Sequence, residues 1–205
     1  QSQGSNSIQS ENATASALLR VLYNYNGRYF LNASFRRDGS SQISPANRWQ
    51  NFWALGGAWE LSKENFMSGQ KIFDFVKLKA SVGVLGNQNT YGFPYPFYPG
   101  LKTGTAAVFG DNIYNAYSQA YLPDENLKWE TVHAKEVGLE LSALSNRLHF
   151  EASYFDKVTK DLMTYIPGIN GAADGLTNIG SIKNNGIELT ASWDQKLTKD
   201  LTLTV

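Results

Sequence analysis

The chain has 205 residues, 42% hydrophobic, 18% charged and 13% aromatic, which is the composition of a folded protein and not of a disordered or coiled-coil one. Eighteen Lys and Arg balance eighteen Asp and Glu, so no basic field exists to hold the phosphates of nucleic acid. Cysteine is absent, which removes disulfides and thiolate metal sites, and no run reaches the ~18 consecutive apolar residues of a membrane helix.

Residues Gln1 to Gln9 lack the basic end and apolar core of a secretory leader. From there on, alternation of period two dominates and predicts eight strands, at 13–25, 28–37, 49–61, 75–84, 128–142, 146–158, 184–194 and 199–205. In the second, Tyr29, Leu31, Ala33 and Phe35 oppose Arg28, Asn32, Ser34 and Arg36. In the fourth, Val76, Leu78, Ala80, Val82 and Val84 oppose Lys77, Lys79, Ser81 and Gly83. The sixth sets Leu148, Phe150, Ala152 and Tyr154 against Arg147, His149, Glu151 and Ser153, and the seventh sets Ile187, Leu189, Ala191 and Trp193 against Glu188, Thr190, Ser192 and Asp194. Such lengths fit tilted strands crossing a bilayer, which need ~9 to 11 residues, better than the ~5 to 6 usual in soluble sheets.

The connections alternate between short and long. Asn26-Gly27, Ala143 to Ser145 and Gln195 to Thr198 are tight, whereas 38–48, 85–127 and 159–183 are long, as in barrels with short periplasmic turns and long extracellular loops. The middling segment Ser62 to Asp74 falls on the periplasmic side by parity, and it has the makings of a helical turn capped by Ser62. The fold expected is all-β: an antiparallel transmembrane β-barrel segment with about eight strands of a larger barrel. A soluble carbohydrate-binding β-sandwich is the alternative, with shorter strands and polar outer faces.

Five motifs in order resemble landmarks of one family. They are YFLNASFRRDGSS from Tyr29, WELSKENF from Trp59, LKASVGVLGNQ from Leu78, NLKWE from Asn126 and NIGSIKNNGIEL from Asn178. Together they resemble the C-terminal barrel of TonB-dependent outer-membrane transporters of the SusC/RagA type. That resemblance implies a 22-stranded barrel plugged by an N-terminal domain, with residues 1–205 forming part of the one barrel domain. It implies the bacterial outer membrane as location, outer-membrane lipid around the barrel, TonB as the source of energy and a SusD-like surface lipoprotein as partner. Oligosaccharides or peptides would be the cargo. The plug, the TonB-contacting box and the closing aromatic strand have no counterpart here, so a fragment is expected.

Candidate residues fall into two groups. Tyr91, Phe93, Tyr95, Phe97, Tyr98, Tyr114 and Tyr117 crowd the longest loop, where aromatic platforms can stack on sugars or a partner, and where loop packing or an interfacial girdle would equally use them. Lys77, Lys79, Glu136, Glu140, Glu151 and Glu188 occupy the polar faces and are expected to line the lumen. Glu136 and Glu140 do not make a glycosidase pair, since four strand residues span ~13 Å and such pairs need ~5 to 9 Å. His133 and His149 have no ligand-spaced neighbours, Gly86-Asn87-Gln88-Asn89 lacks the Lys-Ser/Thr of a phosphate loop, and no nucleophile, base and orienter set is present. No enzyme, cofactor or metal is expected.

Overall fold

The computed structural model describes residues 11–199 and 201–205. The expectation of no leader at residues 1–9 therefore lies outside the described residues. The elements in chain order are β1 (Thr14–Tyr25), β2 (Tyr29–Ser40), β3 (Trp49–Glu60), β4 (Phe73–Asn87), β5 (Leu101–Phe109), β6 (Asn112–Gln119), β7 (Glu130–Ala143), β8 (Leu148–Lys160), β9 (Met163–Ile166), β10 (Gly175–Asn178), β11 (Ser181–Lys196) and β12 (Thr202–Thr204). Eight of them form one antiparallel sheet in the order β1-β2-β3-β4-β7-β8-β11-β12, and β1 and β12 are not paired with each other, so the sheet is an unclosed part of a barrel.

Cross-strand partners share a face, and the register turns each strand's alternation into two continuous surfaces. On one, Leu78 sits opposite Leu139, Leu139 opposite Ala152 and Ala152 opposite Leu189. On the other, Lys77 sits opposite Glu140, Glu140 opposite Glu151 and Glu151 opposite Thr190. A slip by one residue would exchange the two surfaces, so the pattern specifies the register. Among the described residues nothing packs over the apolar surface: Trp53, Leu55, Val137, Tyr154, Ile187 and Leu189 are all exposed. A β-sandwich would bury that surface under a second sheet.

The tight turns have local causes. Asn26 and Gly27 both take positive φ, and Asn24 Oδ1 accepts from the Gly27 N–H. Leu144, Ser145 and Asn146 all lie in the left-handed region, with φ of 59°, 61° and 56°, and the turn is tied down where the Asn146 N–H donates to Asp74 Oδ2 at 2.7 Å. Between β3 and β4 the expected helical turn is two 3₁₀ turns, Leu61–Lys63 and Asn65–Met67. Ser62 is not a cap. It lies inside the first turn, and Glu60 at the cap position makes no capping side-chain bond.

Two hairpins within the long connections were not foreseen. β5 and β6 pair within the 85–127 segment, and β9 and β10 pair within 159–183. In β5 a register shift between Lys102 and Thr105 breaks the alternation, and β9 and β10 are four residues each, too short to show a period.

Candidate functional site

The three long connections gather at one end of the sheet into a packed body. Its centre is Ile43 from the β2–β3 loop, Leu127 from the β4–β7 connection and Leu176 from β10, at 0%, 0% and 1% exposure, with Phe52, Trp129 and Met163 around them. Phe52 meets the edge of Trp129 at 5.5 Å, and its ring occupies the space where a side chain at Gly86 would begin. Polar bonds link the same three segments. Ser44 Oγ donates to the Leu127 carbonyl at 2.8 Å, Trp129 Nε1 to the Arg48 carbonyl at 3.1 Å, and Thr177 Oγ1 to Asp124 Oδ2 at 2.5 Å. Two of these residues, Leu127 and Trp129, belong to the NLKWE motif.

The loop aromatics divide into a buried and an exposed set. Phe97 is buried, Phe93 is half-buried with Tyr121 edge-on at 5.3 Å, and the half-buried Tyr95 donates its hydroxyl to the Glu11 carbonyl. These three hold the loop's shape. Tyr91 and Tyr98 are exposed beside them, while Tyr114 and Tyr117 are exposed on β6. The structure adds Leu101, Val108, Phe109 and Ile113 on the β5–β6 hairpin, all more than two-thirds exposed, which no alternation in the sequence revealed.

At the loop end, Asp174 and Tyr121 are among the groups that titrate away from their ordinary values. The Tyr165 hydroxyl, then the Gly168 N–H, hold the Asp174 carboxyl below the usual carboxylate range. Burial raises the Tyr121 phenol, whose hydroxyl donates to the Tyr95 carbonyl at 2.9 Å. Both are structural ties within the loop body.

On the polar face, Lys79 Nζ donates to Glu140 Oε1 at 2.7 Å and also to Glu151 Oε1. Lys77 lies over the Phe30 ring at 5.0 Å. Glu136 sits opposite Ser81 and Phe155, and Glu188 opposite Ser153. The six charged candidates thus share one face, with Glu140 paired to the Lys79 ammonium. His149 bonds Ser142 Oγ at 2.8 Å and stands 3.5 Å from Asp194, whereas His133 lies 3.4 Å from Thr131 Oγ1. Among the described residues no three His, Cys, Asp or Glu side chains are grouped as metal ligands.

A cavity of about 520 Å³ opens at the loop end, lined by Asn12, Gln42, Asn87, Gln88, Asn89 and Phe93 among others. Its amides come from three segments far apart in sequence, so no motif announced it.

A family model described as "TonB dependent receptor-like, beta-barrel" matches residues 2–205. The chain belongs to that family. It is 32% identical over 196 residues to the TonB-dependent receptor SusC of Bacteroides thetaiotaomicron, covering 93% of this chain and 19% of that protein. It is 34% identical over 183 residues to TonB-dependent receptor P26 of Formosa agariphila, covering 86% and 18%. The fold is similar to the RagAB peptide importer in its "closed-closed" state, with a TM-score of 0.83 at 24% identity over 95% of this chain and 21% of that one. It is also similar to the siderophore receptor PirA of Pseudomonas aeruginosa, with a TM-score of 0.60 at 16% identity over 94% of this chain and 33% of that one. The chain spans about a fifth of the length of the curated relatives it matches.

Proposed function

We propose that residues 1–205 are part of the barrel domain of an energy-coupled importer in the bacterial outer membrane, which takes up oligosaccharides or peptides. The observation that carries this reading is the unbroken pair of surfaces on an unclosed eight-stranded sheet. The apolar surface ladders through Leu78, Leu139, Ala152 and Leu189 and has no layer of the described residues over it, which suits lipid. The charged surface bearing Lys77, Lys79, Glu136, Glu140, Glu151 and Glu188 then lines the lumen. Charge on the lipid side would cost about 2 to 4 kcal/mol per Lys at the midplane, which assigns the faces.

The short turns lie at the end of the sheet opposite the loop body, so the loop body is extracellular and the turn at 61–72 is periplasmic. Membership of the family supports TonB as the energy source, and similarity to SusC and to the RagAB peptide importer supports a SusD-like surface lipoprotein over the loops. Tyr91, Tyr98, Phe109, Tyr114 and Tyr117 are exposed there and can meet cargo or partner. The test is uptake. Cells lacking the full-length protein should lose growth on one oligosaccharide or peptide source, and cells lacking TonB should lose it equally. Growth that is independent of TonB would overturn the reading.

A further inference from the structure

We propose that the outer wall of the sheet carries, at its loop end, a binding site for the anionic phosphate headgroups of membrane lipid, built from Lys135, Lys160 and Lys183; this rests on the membrane-barrel reading above and names what the wall meets at its border. The register draws that border. Val137, Tyr154 and Ile187 lie side by side on β7, β8 and β11 as the last apolar row. Two residues nearer the loops, about 7 Å along each strand, the same face presents Lys135 opposite Asp156 and Asp156 opposite Asn185. The next row brings His133, Val158 and Lys183, and Lys160 follows, opposite Thr131 and Ser181.

Charge names the partner. The half-buried Asp156 is committed to Lys183 at 3.0 Å, whereas among the described residues Lys135 and Lys160 are in no ion pair, and both are exposed. Three ammonium groups therefore stand against one carboxylate. A strand end that met only water would carry either sign, and an excess of ammonium directly beside an apolar band matches phosphate at the headgroup level. Lysine suits this position, because its long stem lies along apolar surface while the compact charge reaches out to the anion. Tyr154, exposed in the last apolar row, is of the kind of side chain that settles at the boundary of membrane and water.

The cluster is local. On β3 and β4 the row of Lys135 stays apolar, with Leu55 opposite Val82 and Val82 opposite Lys135, because strands in a barrel tilt and a register row does not keep one depth from strand to strand. The turn end of the same wall is built differently. Tyr25, Tyr29, Trp59 and Phe66 follow one another there with ring centroids 6.4, 6.2 and 6.5 Å apart, and the cations beside them, Arg28 and Lys63, are paired with Glu64 and Glu60. The two borders thus present rings at one end and uncompensated ammonium at the other.

The experiment is native mass spectrometry of the full-length protein, stripped of lipid in detergent and titrated with phosphatidylglycerol, with phosphatidylcholine of the same acyl chains, and with inorganic phosphate. Phosphatidylglycerol should bind more tightly than phosphatidylcholine, and Lys135→Gln, Lys160→Gln and Lys183→Gln should each weaken it about fivefold, the worth of one lysine near an anionic surface. The triple variant should bind the two lipids alike, and the single variants decide the matter if it fails to assemble. Lys157→Gln alters a lysine of β8 on the opposite face, across from Ala134, and should bind as the unaltered protein does. The proposal is overturned if the unaltered protein binds both lipids equally, if the preference survives all the substitutions, or if Lys157→Gln removes it as well. Inorganic phosphate that displaces phosphatidylglycerol at equal concentration overturns lipid as the ligand. Each of these failures leaves the importer reading standing, and that reading fails separately, on TonB-independent growth.

Discussion

Lys128 and Asn178 are joined by a two-way bond: the Lys128 N–H donates to Asn178 Oδ1 at 2.8 Å, and Asn178 Nδ2 donates back to the Lys128 carbonyl at 2.9 Å. The same Nδ2 reaches the Asp161 carbonyl at 2.7 Å, so one amide ties the segment before β7 to the exit of β8. Replacing it with Leu should cost about 1–2 kcal/mol, because the side chain is half-buried and three bonds go at once. Limited proteolysis should then cut within 121–128 where the unaltered protein resists. Asn178→Asp keeps the acceptor and should lie between the two. An unchanged digest would show that the clasp does not hold the loop body.

Lys79 stands between two carboxylates whose strands place them directly opposite each other. The three side chains are 30%, 33% and 48% exposed, so water screens the pairs and each is worth about 0.5–1 kcal/mol. Lys79→Met should lower the melting temperature in detergent by the loss of both pairs and by leaving Glu140 and Glu151 as unrelieved like charges. Adding Glu151→Gln should recover part of that loss. If the second change lowers stability further, the carboxylates do not repel and the coupling is absent.

Spin labels at Leu78 and Lys79, neighbours on β4 with opposite facing, should separate cleanly in the full-length protein in lipid. The label at 78 should respond to oxygen dissolved in the bilayer and the label at 79 to a water-soluble nickel quencher. Equal access of the quencher to both would defeat the assignment of faces.

Glu64, in the turn between β3 and β4, accepts from the Tyr29 hydroxyl at 2.7 Å and from Trp59 Nε1 at 3.0 Å, and these bonds hold its carboxyl below the ordinary value of 4.5. A depressed carboxylate adds stability that is present above its unfolded value and lost as pH falls through the folded one. Protection of the amides at 61–67 from hydrogen exchange should therefore be constant near neutrality and decline below pH 4.5. In Glu64→Gln the acid-dependent component should vanish. Equal acid sensitivity in the variant would place the cause elsewhere.

The 205 residues expressed alone should aggregate in plain buffer, because β1 and β12 present open edges and the apolar surface has no cover. Light scattering that reports a monodisperse, cooperatively melting monomer would count against the lipid-facing surface.

Alternation by itself determined the strand ladder. Each of β1, β2, β3, β4, β7, β8, β11 and β12 was legible, since a sheet with two different faces writes its register into every second residue. Boundaries were less so: β2 runs on to Ser40 and β4 to Asn87, because pairing with a neighbour continues after the hydrophobic contrast fades. The hairpins of the long connections escaped, one because a register shift at Lys102 to Thr105 breaks its period and the other because four residues hold barely one.

The loop body belongs to tertiary structure alone. Nothing in the composition of the 85–127 segment separates Phe97, which is buried, from Tyr98 beside it, which is exposed; the Ile43, Leu127 and Leu176 core decides, by bringing three connections together over one end of the sheet. Asn12, Gln42 and Gln88 were unremarkable for the same reason. An amide alone in a loop is solvated and silent, and only the fold brings Asn12, Gln42 and Gln88 from distant segments to line one cavity.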